Sequence, residues 1–358
     1  PTIMRKIYYP LFLILALAGC SSESNESSPS ESLYFPPLEE NALWETKSLS
    51  SLGWNENATA PLLSYLEEKH TKGFIILVDG KIVMENYFNG HSASSNWYWA
   101  SAGKTLTATM VGIAEQENHL NINDKVSDYL GHGWTSLPLA KENLIANKHL
   151  LSMTSGLEDI DNGDCVEPEC LTYKADAGTR WAYHNVYVKL QDVVADAVST
   201  TYSNYFNTKL RDKIGMNGAW IQSGNNSVYW STTRSMARFG LLMLNKGKWN
   251  NEMILNENYF NAATNTSQDI NLGYGYLWWL NGKSNYHLPQ TQLQFSGSII
   301  PDGPNDMFMA LGKNDQKIYV IPSRKMVVIR MGDAADNVNL ALSDFDEVLW
   351  QKINALIN

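Results

Sequence analysis

The stretch "GFIILVDGKIVMENYF" (Gly73–Phe88) consists of two apolar runs that are joined by Asp79-Gly80. An Asp-Gly pair between runs of this kind is typical of a tight β-hairpin. Near the other end of the chain, "DMFMALG" and "KIYVIPSRKMVVIRMG", within Asp306–Gly332, predict three strands, of which the last two form a second hairpin. The sequence therefore predicts a sheet that is built from strands at both ends of the chain.

The chain between these strands is mainly helical in pattern. Apolar residues after Ser101 share one helix face: Leu106, Met110, Ile113 and Ala114. Further helices are predicted at Asn185–Thr200, at Thr232–Gly247 with Gly247 as C-cap, and at residues 342–358. The fold class is α/β (α+β): an antiparallel sheet from both chain ends with flanking helices. A mainly helical subdomain, at roughly residues 106–284, is inserted, with a cleft at the junction.

Composition excludes some classes of function. The chain has 358 residues, of which 44% are hydrophobic, enough for one large domain or two modest ones. Its formal net charge is −10, and no basic run follows the extreme N-terminus. Nucleic acid is therefore not an expected partner, because phosphate binding needs clustered lysine and arginine.

The N-terminal segment has the features of an export signal. Arg5 and Lys6 precede the apolar run "LFLILALAG" (Leu11–Gly19), which is too short to span a membrane, and Cys20 follows. This order resembles a bacterial lipobox, in which the cysteine is lipidated. We expect residues 1–19 to be a lipoprotein signal peptide and Cys20 to be the lipidation site. An ordinary signal peptide with a coincidental cysteine is the alternative.

The residues that follow Cys20 predict a tether and a location. Residues 20–32 are rich in serine and glutamate, so they cannot pack and should form a flexible tether before a single domain at 33–358. Ser21 after the cysteine favours the outer membrane, facing the periplasm. In such an oxidising compartment Cys165 and Cys170 should form a local disulfide. A zinc site is the alternative, although no histidine is close by in that loop.

The first candidate catalytic residues are Ser101 and Lys104, which form the one S-x-x-K match in the chain. At i and i+3 near a helix N-terminus, the lysine amine can approach the serine hydroxyl. A neutral lysine could then take the proton that makes serine a nucleophile, provided that its pKa is lowered by burial or by positive charge. Trp97, Trp99 and Leu106 could give apolar surroundings. A helix cap followed by a solvated lysine is the alternative.

A Tyr-x-Asn pair could pass the proton to the leaving group. Five such triplets occur in the chain, starting at Tyr87, Tyr183, Tyr202, Tyr205 and Tyr259. Tyr183 and Asn185 stand out because "GTRWAYHN" comes directly before a predicted helix. His184 lies between them and should point away from both in an extended segment, which favours a structural role. The absence of H-E-x-x-H and of G-x-S-x-G argues against a zinc protease and an α/β-hydrolase.

With these motifs, the chain resembles the serine β-lactamase-like superfamily: class C β-lactamases, DD-peptidases and the related esterases and nylon-oligomer hydrolases. The resemblance covers roughly residues 70–335. Its elements occur in the family's order: "SAGK", "KHLLSMTSGL", "GTRWAYHN", "TTRSMARFGLLML", "YGYLWW" and the strand pair around "IYVIPSRKMVVI". The resemblance implies a β-lactamase/transpeptidase-like fold and catalysis by Ser101, Lys104, Tyr183 and Asn185.

The family's third motif is altered in this chain. The best positional match is Ala310-Leu311-Gly312, in which Ala310 replaces the usual cation that helps to bind a substrate carboxylate. The resemblance implies an oxyanion hole formed by the backbone N–H groups of Ser101 and Lys313, with Gly312 permitting close approach. Lys313 either replaces the missing cation or is solvated.

Three functional hypotheses follow. The first is a lipid-anchored serine hydrolase that cleaves a small ester or amide, without a cofactor or metal. The second is a β-lactamase or DD-carboxypeptidase, which the loss of the cation at Ala310 weakens. The third is a non-catalytic envelope binding protein, against which the complete set of Ser101, Lys104, Tyr183 and Asn185 argues. The expected partners are a small-molecule substrate and, through Cys20, a membrane.

Overall fold

The strands from the two chain ends form one antiparallel sheet, as the sequence predicts. The computed structural model describes residues 2, 32–39, 42–161, 163–336 and 342–358. Its strands are β1 Thr71–Val78, β2 Lys81–Tyr87, β3 Trp97–Tyr98, β4 Ala219–Ser223, β5 Asn226–Ser231, β6 Lys248–Trp249, β7 Glu252–Met253, β8 Trp279–Leu280, β9 Asn285–His287, β10 Gln294–Ser296, β11 Phe308–Gly312, β12 Gln316–Ile321 and β13 Met326–Gly332. Within these residues the main sheet has the order β2-β1-β13-β12-β11-β8.

The helices lie mainly between the strands of the two chain ends. Their bounds are α1 Thr59–Glu68, α2 Lys104–Gln116, α3 Ser127–Leu130, α4 Leu139–Glu142, α5 Asn147–Leu151, α6 Lys189–Ala197, α7 Tyr202–Phe206, α8 Thr233–Leu244, α9 Glu257–Ala263 and α10 Asp344–Ile357. Helix α8 begins after Thr232, whose side chain accepts a hydrogen bond from the Ser235 N–H. The prediction of Gly247 as C-cap is wrong by two residues, because α8 ends at Leu244 with Asn245 as its C-cap. The Gly247 N–H instead donates to the Leu242 carbonyl at 3.0 Å.

The first hairpin turns at Asp79-Gly80, where the sequence predicts it. Both residues have positive φ, 52° and 82°, which is the geometry of a tight two-residue turn. Strand β1 also pairs with β13, from Thr71 opposite Gly332 to Val78 opposite Met326. The N-terminal hairpin and the last strand are therefore joined in the centre of the sheet.

Helices cover both faces of this sheet. A Cβ atom on Gly240 of α8 would lie 2.5 Å from Val327 and 3.3 Å from Ile318, so α8 packs directly on β13 and β12. The neighbouring Tyr319 instead contacts Trp350 of α10, with ring centroids 5.6 Å apart. Because adjacent strand residues point to opposite faces, α8 and α10 lie on opposite sides of the sheet.

The inserted region contains more β-structure than the sequence indicates. Within residues 106–284 the structure has mainly the helices α2–α9, but also the short β6-β7 pair and the strands β4 and β5, which form a three-stranded sheet with the earlier β3 in the order β3-β5-β4. Trp97 of β3 pairs with Ser231 of β5, so this small sheet begins directly before the S-x-x-K motif. These strands are short and mixed in polarity, which gives them no clear two-residue period.

Several predictions concern residues outside the described part. These are the signal peptide at 1–19, Cys20 and nearly all of the tether at 20–32. Among the residues that are described, no helix has both the length and the apolar character that a membrane crossing requires.

Candidate active site

Ser101 lies in a single 3₁₀ turn, Ala100–Gly103, directly before α2. Ala100 has a φ of 47°, which is uncommon for a residue with a side chain and is typical of functional turns. Lys104, the first residue of α2, places its Nζ atom 2.7 Å from Ser101 Oγ. The S-x-x-K spacing thus brings the two groups into direct hydrogen-bond contact, although the serine precedes the helix rather than lying in it.

Burial makes Lys104 a potential base. Its residue is only 6% exposed, and no carboxylate in the described part of the chain forms an ion pair with it. Its Nζ instead lies 4.8 Å from the ring centroid of Tyr183 and 4.3 Å from that of Tyr187. Burial lowers the pKa of Lys104 to about 7, against a weaker opposing effect of Asp164. A large share of the amine is therefore unprotonated near neutral pH.

The apolar surroundings differ in origin from the expected ones. Trp99 and Leu106 are fully buried, but the rings over the amine belong to Tyr183 and Tyr187. Sequence reasoning overlooked Tyr187. Its position four residues after Tyr183, at the start of a helical turn, is the signal that could have identified it.

Tyr183 contacts the same serine. Its phenol lies beside the Ser101 hydroxyl, which weakly opposes the effect of burial on the pKa of the phenol, and its ring stacks on Trp279 with centroids 5.7 Å apart. Burial raises the pKa of the Tyr183 phenol far above its ordinary value. Tyr183 is therefore a neutral phenol that can hold and pass a proton while Lys104 accepts one.

The side chain of Asn185 is hydrogen-bonded to the neighbouring loop rather than to Lys104. Its Nδ2 atom donates to the backbone carbonyl of Asp164 at 2.8 Å. Asn226 Nδ2 donates to the Asp164 carboxylate at 3.2 Å. In the next residues of the loop, Cys165 and Cys170 form a disulfide bond. The segment from Asp164 to Cys170 is thereby held in place beside the nucleophile.

Strand β11 approaches the nucleophile from the sheet. A Cβ atom on Gly312 would lie 2.5 Å from the Trp99 carbonyl oxygen and 2.9 Å from the Ala102 nitrogen, so only glycine allows this contact. Ala310 is 1% exposed and does not line the cavity, so its side chain makes no contact with a substrate bound there. Lys313, directly after Gly312, is exposed and lines the cavity beside Ser101.

A cavity of about 400 Å³ connects these groups. Ser101, Lys104, Tyr183, Asn185 and Lys313 all line it. Of the residues predicted for catalysis and the oxyanion hole, the structure therefore brings together all except Gly312, which supports the wall from behind, and Ala310, which is buried away from it. The remaining lining includes residues that sequence reasoning did not single out: Asp159, Asp164, Tyr187, Asn226 and Gln290.

The described residues contain no cluster of three or more histidine, cysteine, aspartate or glutamate side chains that could hold a metal ion. A hydroxyl nucleophile, a buried amine of lowered pKa and a neutral phenol lie together at Ser101, and the amine is hydrogen-bonded to the hydroxyl. This arrangement can activate a serine for attack on a carbonyl carbon.

Solved structures with the same fold include several relatives of penicillin-binding proteins and β-lactamases. A candidate 6-aminohexanoate-dimer hydrolase from Bacillus anthracis has a TM-score of 0.68 and 18% identity, covering 90% of this chain and 89% of that one. A candidate β-lactamase from Bacteroides dorei has a TM-score of 0.66 and 15% identity, covering 85% of this chain and 99% of that one. A penicillin-binding protein homologue from Caulobacter crescentus has a TM-score of 0.63 and 12% identity, covering 84% and 97%. At these identities the likeness shows the fold alone.

The sequence itself is matched by a family description. No curated protein matches the chain. The Beta-lactamase family model, however, matches residues 65–337, which is most of the chain and includes every element of the cavity. The predicted fold class and resemblance are thereby confirmed, and the chain belongs to the β-lactamase family, whose members are generally hydrolases.

Proposed function

We propose that this protein is a serine hydrolase that cleaves a small ester or amide through an acyl-enzyme on Ser101. The observation that carries the proposal is the contact of 2.7 Å between Ser101 Oγ and Lys104 Nζ, in surroundings that lower the pKa of the lysine to about 7. A solvated lysine after a helix cap would have neither the burial nor the lowered pKa. The contact therefore favours the nucleophile-and-base interpretation.

In the acylation step, Ser101 Oγ bonds to the substrate carbonyl carbon while unprotonated Lys104 receives the hydroxyl proton. The carbonyl electron pair moves onto oxygen, and the backbone N–H groups of Ser101 and Lys313 donate to that oxyanion. Collapse of this intermediate breaks the bond to the leaving group. Tyr183 gives its proton to the departing alcohol or amine and regains one from Lys104, so the phenol does not remain ionised.

In the deacylation step, the same groups act on water. The water oxygen bonds to the acyl carbon while its proton passes to Lys104 through Tyr183. The bond to Ser101 Oγ then breaks, the serine takes the proton back, and the carboxylic acid is released. Asn185 contributes indirectly, since its amide holds the Asp164 loop that forms one wall of the cavity.

A β-lactamase or DD-carboxypeptidase activity has less support. Those substrates carry a carboxylate, and Ala310 is both uncharged and buried at the position of the family's usual cation. Lys313 is the remaining candidate cation, and it lies at the exposed rim of the cavity. Amides remain in the proposed substrate class because two of the fold relatives carry amide-hydrolase names.

We further propose that the hydrolase acts in the bacterial envelope, anchored by a lipid at Cys20. The support is the order of basic residues, apolar run and cysteine in the N-terminal sequence. Metabolic labelling with an alkyne fatty acid tests this: the wild-type protein should be labelled and Cys20→Ala should not. Equal labelling of both would overturn the anchor without affecting the catalytic proposal.

The catalytic proposal is tested by active-site labelling. Purified wild-type protein and Ser101→Ala are exposed to a fluorophosphonate, a fluorescent penicillin and a panel of short-chain esters and amides. We expect fluorophosphonate labelling and ester turnover that both require Ser101, without penicillin labelling. Penicillin labelling followed by hydrolysis would favour the β-lactamase hypothesis. The absence of any Ser101-dependent reaction would favour a non-catalytic binding protein.

A further inference from the structure

One wall of the catalytic cavity contains a buried histidine with no assigned role. His184 lines the cavity and is 3% exposed, yet neither Nδ1 nor Nε2 has a hydrogen-bond partner among the described residues. Its backbone is extended, with φ −133° and ψ 148°, so its side chain is directed away from those of Tyr183 and Asn185. A structural role, as the sequence suggests, would require hydrogen-bond partners that the described residues do not supply.

Asp159 adds an acceptor to the same wall. It lines the cavity and its side chain is almost fully buried. Arg180 Nη2 lies 2.7 Å from Asp159 Oδ1, but this ion pair lacks the alignment of a hydrogen bond, and Oδ1 has no aligned donor in the described chain. The carboxylate is therefore neutralised by Arg180 and can still accept.

The protonation of His184 defines what this wall can bind. Burial lowers the pKa of His184 to about 4, against the weaker opposing effects of Asp159 and Glu158. At neutral pH its ring is therefore uncharged, with one nitrogen that donates and one that accepts. Beside Asp159, the wall offers one donor and two acceptors without a free charge.

Few chemical groups can form hydrogen bonds with one donor and two acceptors that carry no free charge. A carboxylate is disfavoured because Asp159 and Asp164 both line the cavity. An ammonium is disfavoured because Arg180 already neutralises Asp159 and the ring N–H would oppose a cation. A hydroxyl group both donates and accepts hydrogen bonds, so a single hydroxyl can pair with donor and acceptor atoms of this wall together. Buried polar atoms without partners are costly, and such a ligand group would offset that cost.

We propose that His184 and Asp159 form a subsite for a hydroxyl group on the alcohol side of the substrate. We place the subsite on the alcohol side because His184 directly follows Tyr183 in the sequence, and Tyr183 is the residue that protonates the leaving group. This inference rests on the proposed function, because it assigns the leaving group to Tyr183. The substrate class is then an acyl ester of a polyol, such as glycerol or a sugar.

Binding to a non-reacting variant tests the subsite. The ligands are 1-butyrylglycerol and propyl butyrate, which share the acyl chain and a three-carbon alcohol and differ in two hydroxyl groups. In Ser101→Ala, we expect calorimetry to give tighter binding of the glycerol ester by about tenfold, the value of one or two net hydrogen bonds. Adding His184→Phe, which keeps the ring volume, should remove that preference. Asp159→Asn is the second variant if the phenylalanine protein does not fold.

The matched control is His132→Phe, at a histidine whose side chain is 64% exposed. It should leave the preference for the glycerol ester intact. An unchanged preference in both Ser101→Ala/His184→Phe and Ser101→Ala/Asp159→Asn would overturn the subsite, and would mean that the wall binds only water. Turnover of propyl butyrate by the wild-type protein is measured in parallel and reports on the proposed function alone, so the two failures are distinguishable.

Discussion

Two lysines are deeply buried in the described part of the chain, and their surroundings are opposite. Lys317 of β12 has no exposed side-chain surface and lies 2.7 Å from Asp346 Oδ2 and 3.2 Å from Asp315 Oδ1. Lys104 is 6% exposed and contacts the Ser101 hydroxyl and two tyrosine rings. Both amines are buried, but of the two only Lys317 forms ion pairs with carboxylates of the described chain. Whether a buried lysine is a structural cation or a base is thus decided by its counter-ions.

Lys317 belongs to a larger set, the buried charge cluster, which consists of Asp315, Lys317, Arg330 and Asp346. Arg330 is fully buried and donates to Thr71 Oγ1 and to four backbone carbonyls, which are those of Lys69, Asn314, Asp315 and Asp333. Asp315 accepts from Ser343 Oγ and the Ala335 N–H. The cluster therefore fixes the turn that directly follows Lys313, the proposed oxyanion donor.

The largest effect on stability is expected at the buried charge cluster. Lys317→Met leaves Asp315 and Asp346 buried with one cation fewer, which should lower the free energy of unfolding by about 3–5 kcal/mol. Urea denaturation followed by circular dichroism measures it. The control is Lys213→Met, which breaks an exposed contact of 2.8 Å with Glu252 and should cost less than about 1 kcal/mol. Equal effects of the two substitutions would mean that the buried ion pairs of Lys317 contribute no more to stability than the exposed contact of Lys213.

Removal of the buried amine of Lys104 should change the free energy of unfolding in the opposite direction. Lys104→Met replaces a buried amine without a counter-ion by an apolar side chain of similar length, so the free energy of unfolding should rise by about 1–3 kcal/mol. The same substitution should reduce kcat/KM by at least about a hundredfold, because it removes the base. Denaturation and ester hydrolysis are measured on one preparation. A loss of stability would mean that the amine is held as a charged structural group.

The smallest effect is a dependence on pH. The base form of Lys104 is the one that accepts a proton, and burial lowers its pKa to about 7. As pH falls below that value, kcat/KM should fall by about tenfold per unit, and above it the rate should reach a plateau. Tyr183 stays neutral over the same range because burial raises the pKa of its phenol. A flat profile from about pH 5 to 8 would exclude Lys104 as the base.

Features with a local pattern were predictable from the sequence. Asp79-Gly80 identified the first hairpin because a tight turn needs residues that tolerate positive φ. The spacing of Ser101 and Lys104 predicted their contact because three residues span one helical turn. Gly312 was identified through its place in a family motif, and the close contact with the Trp99 carbonyl gives the physical reason for it.

Features that depend on distant contacts were not predictable. Lys317 begins the predicted strand "KIYVIP", and Asp315 lies in the polar stretch before it. Their burial depends on α10, which covers this face of the sheet and carries Asp346, the ion-pair partner of Lys317. The partner of Asn185 depends on the path of the loop that carries Asp164, and no periodic pattern defines that path. His184 was expected to be a structural residue, and its lack of partners became visible only in three dimensions.

The pairing of β1 with β13 has a consequence for how the protein is made. Thr71 finds its partner, Gly332, only after nearly the whole domain has been synthesised. Contacts so distant in sequence close slowly, and the strand edges stay unpaired until then. The turn that carries Ser101 also rests on β11, another late strand. The turn that carries Ser101 therefore takes its final position only after the last strands have joined the sheet.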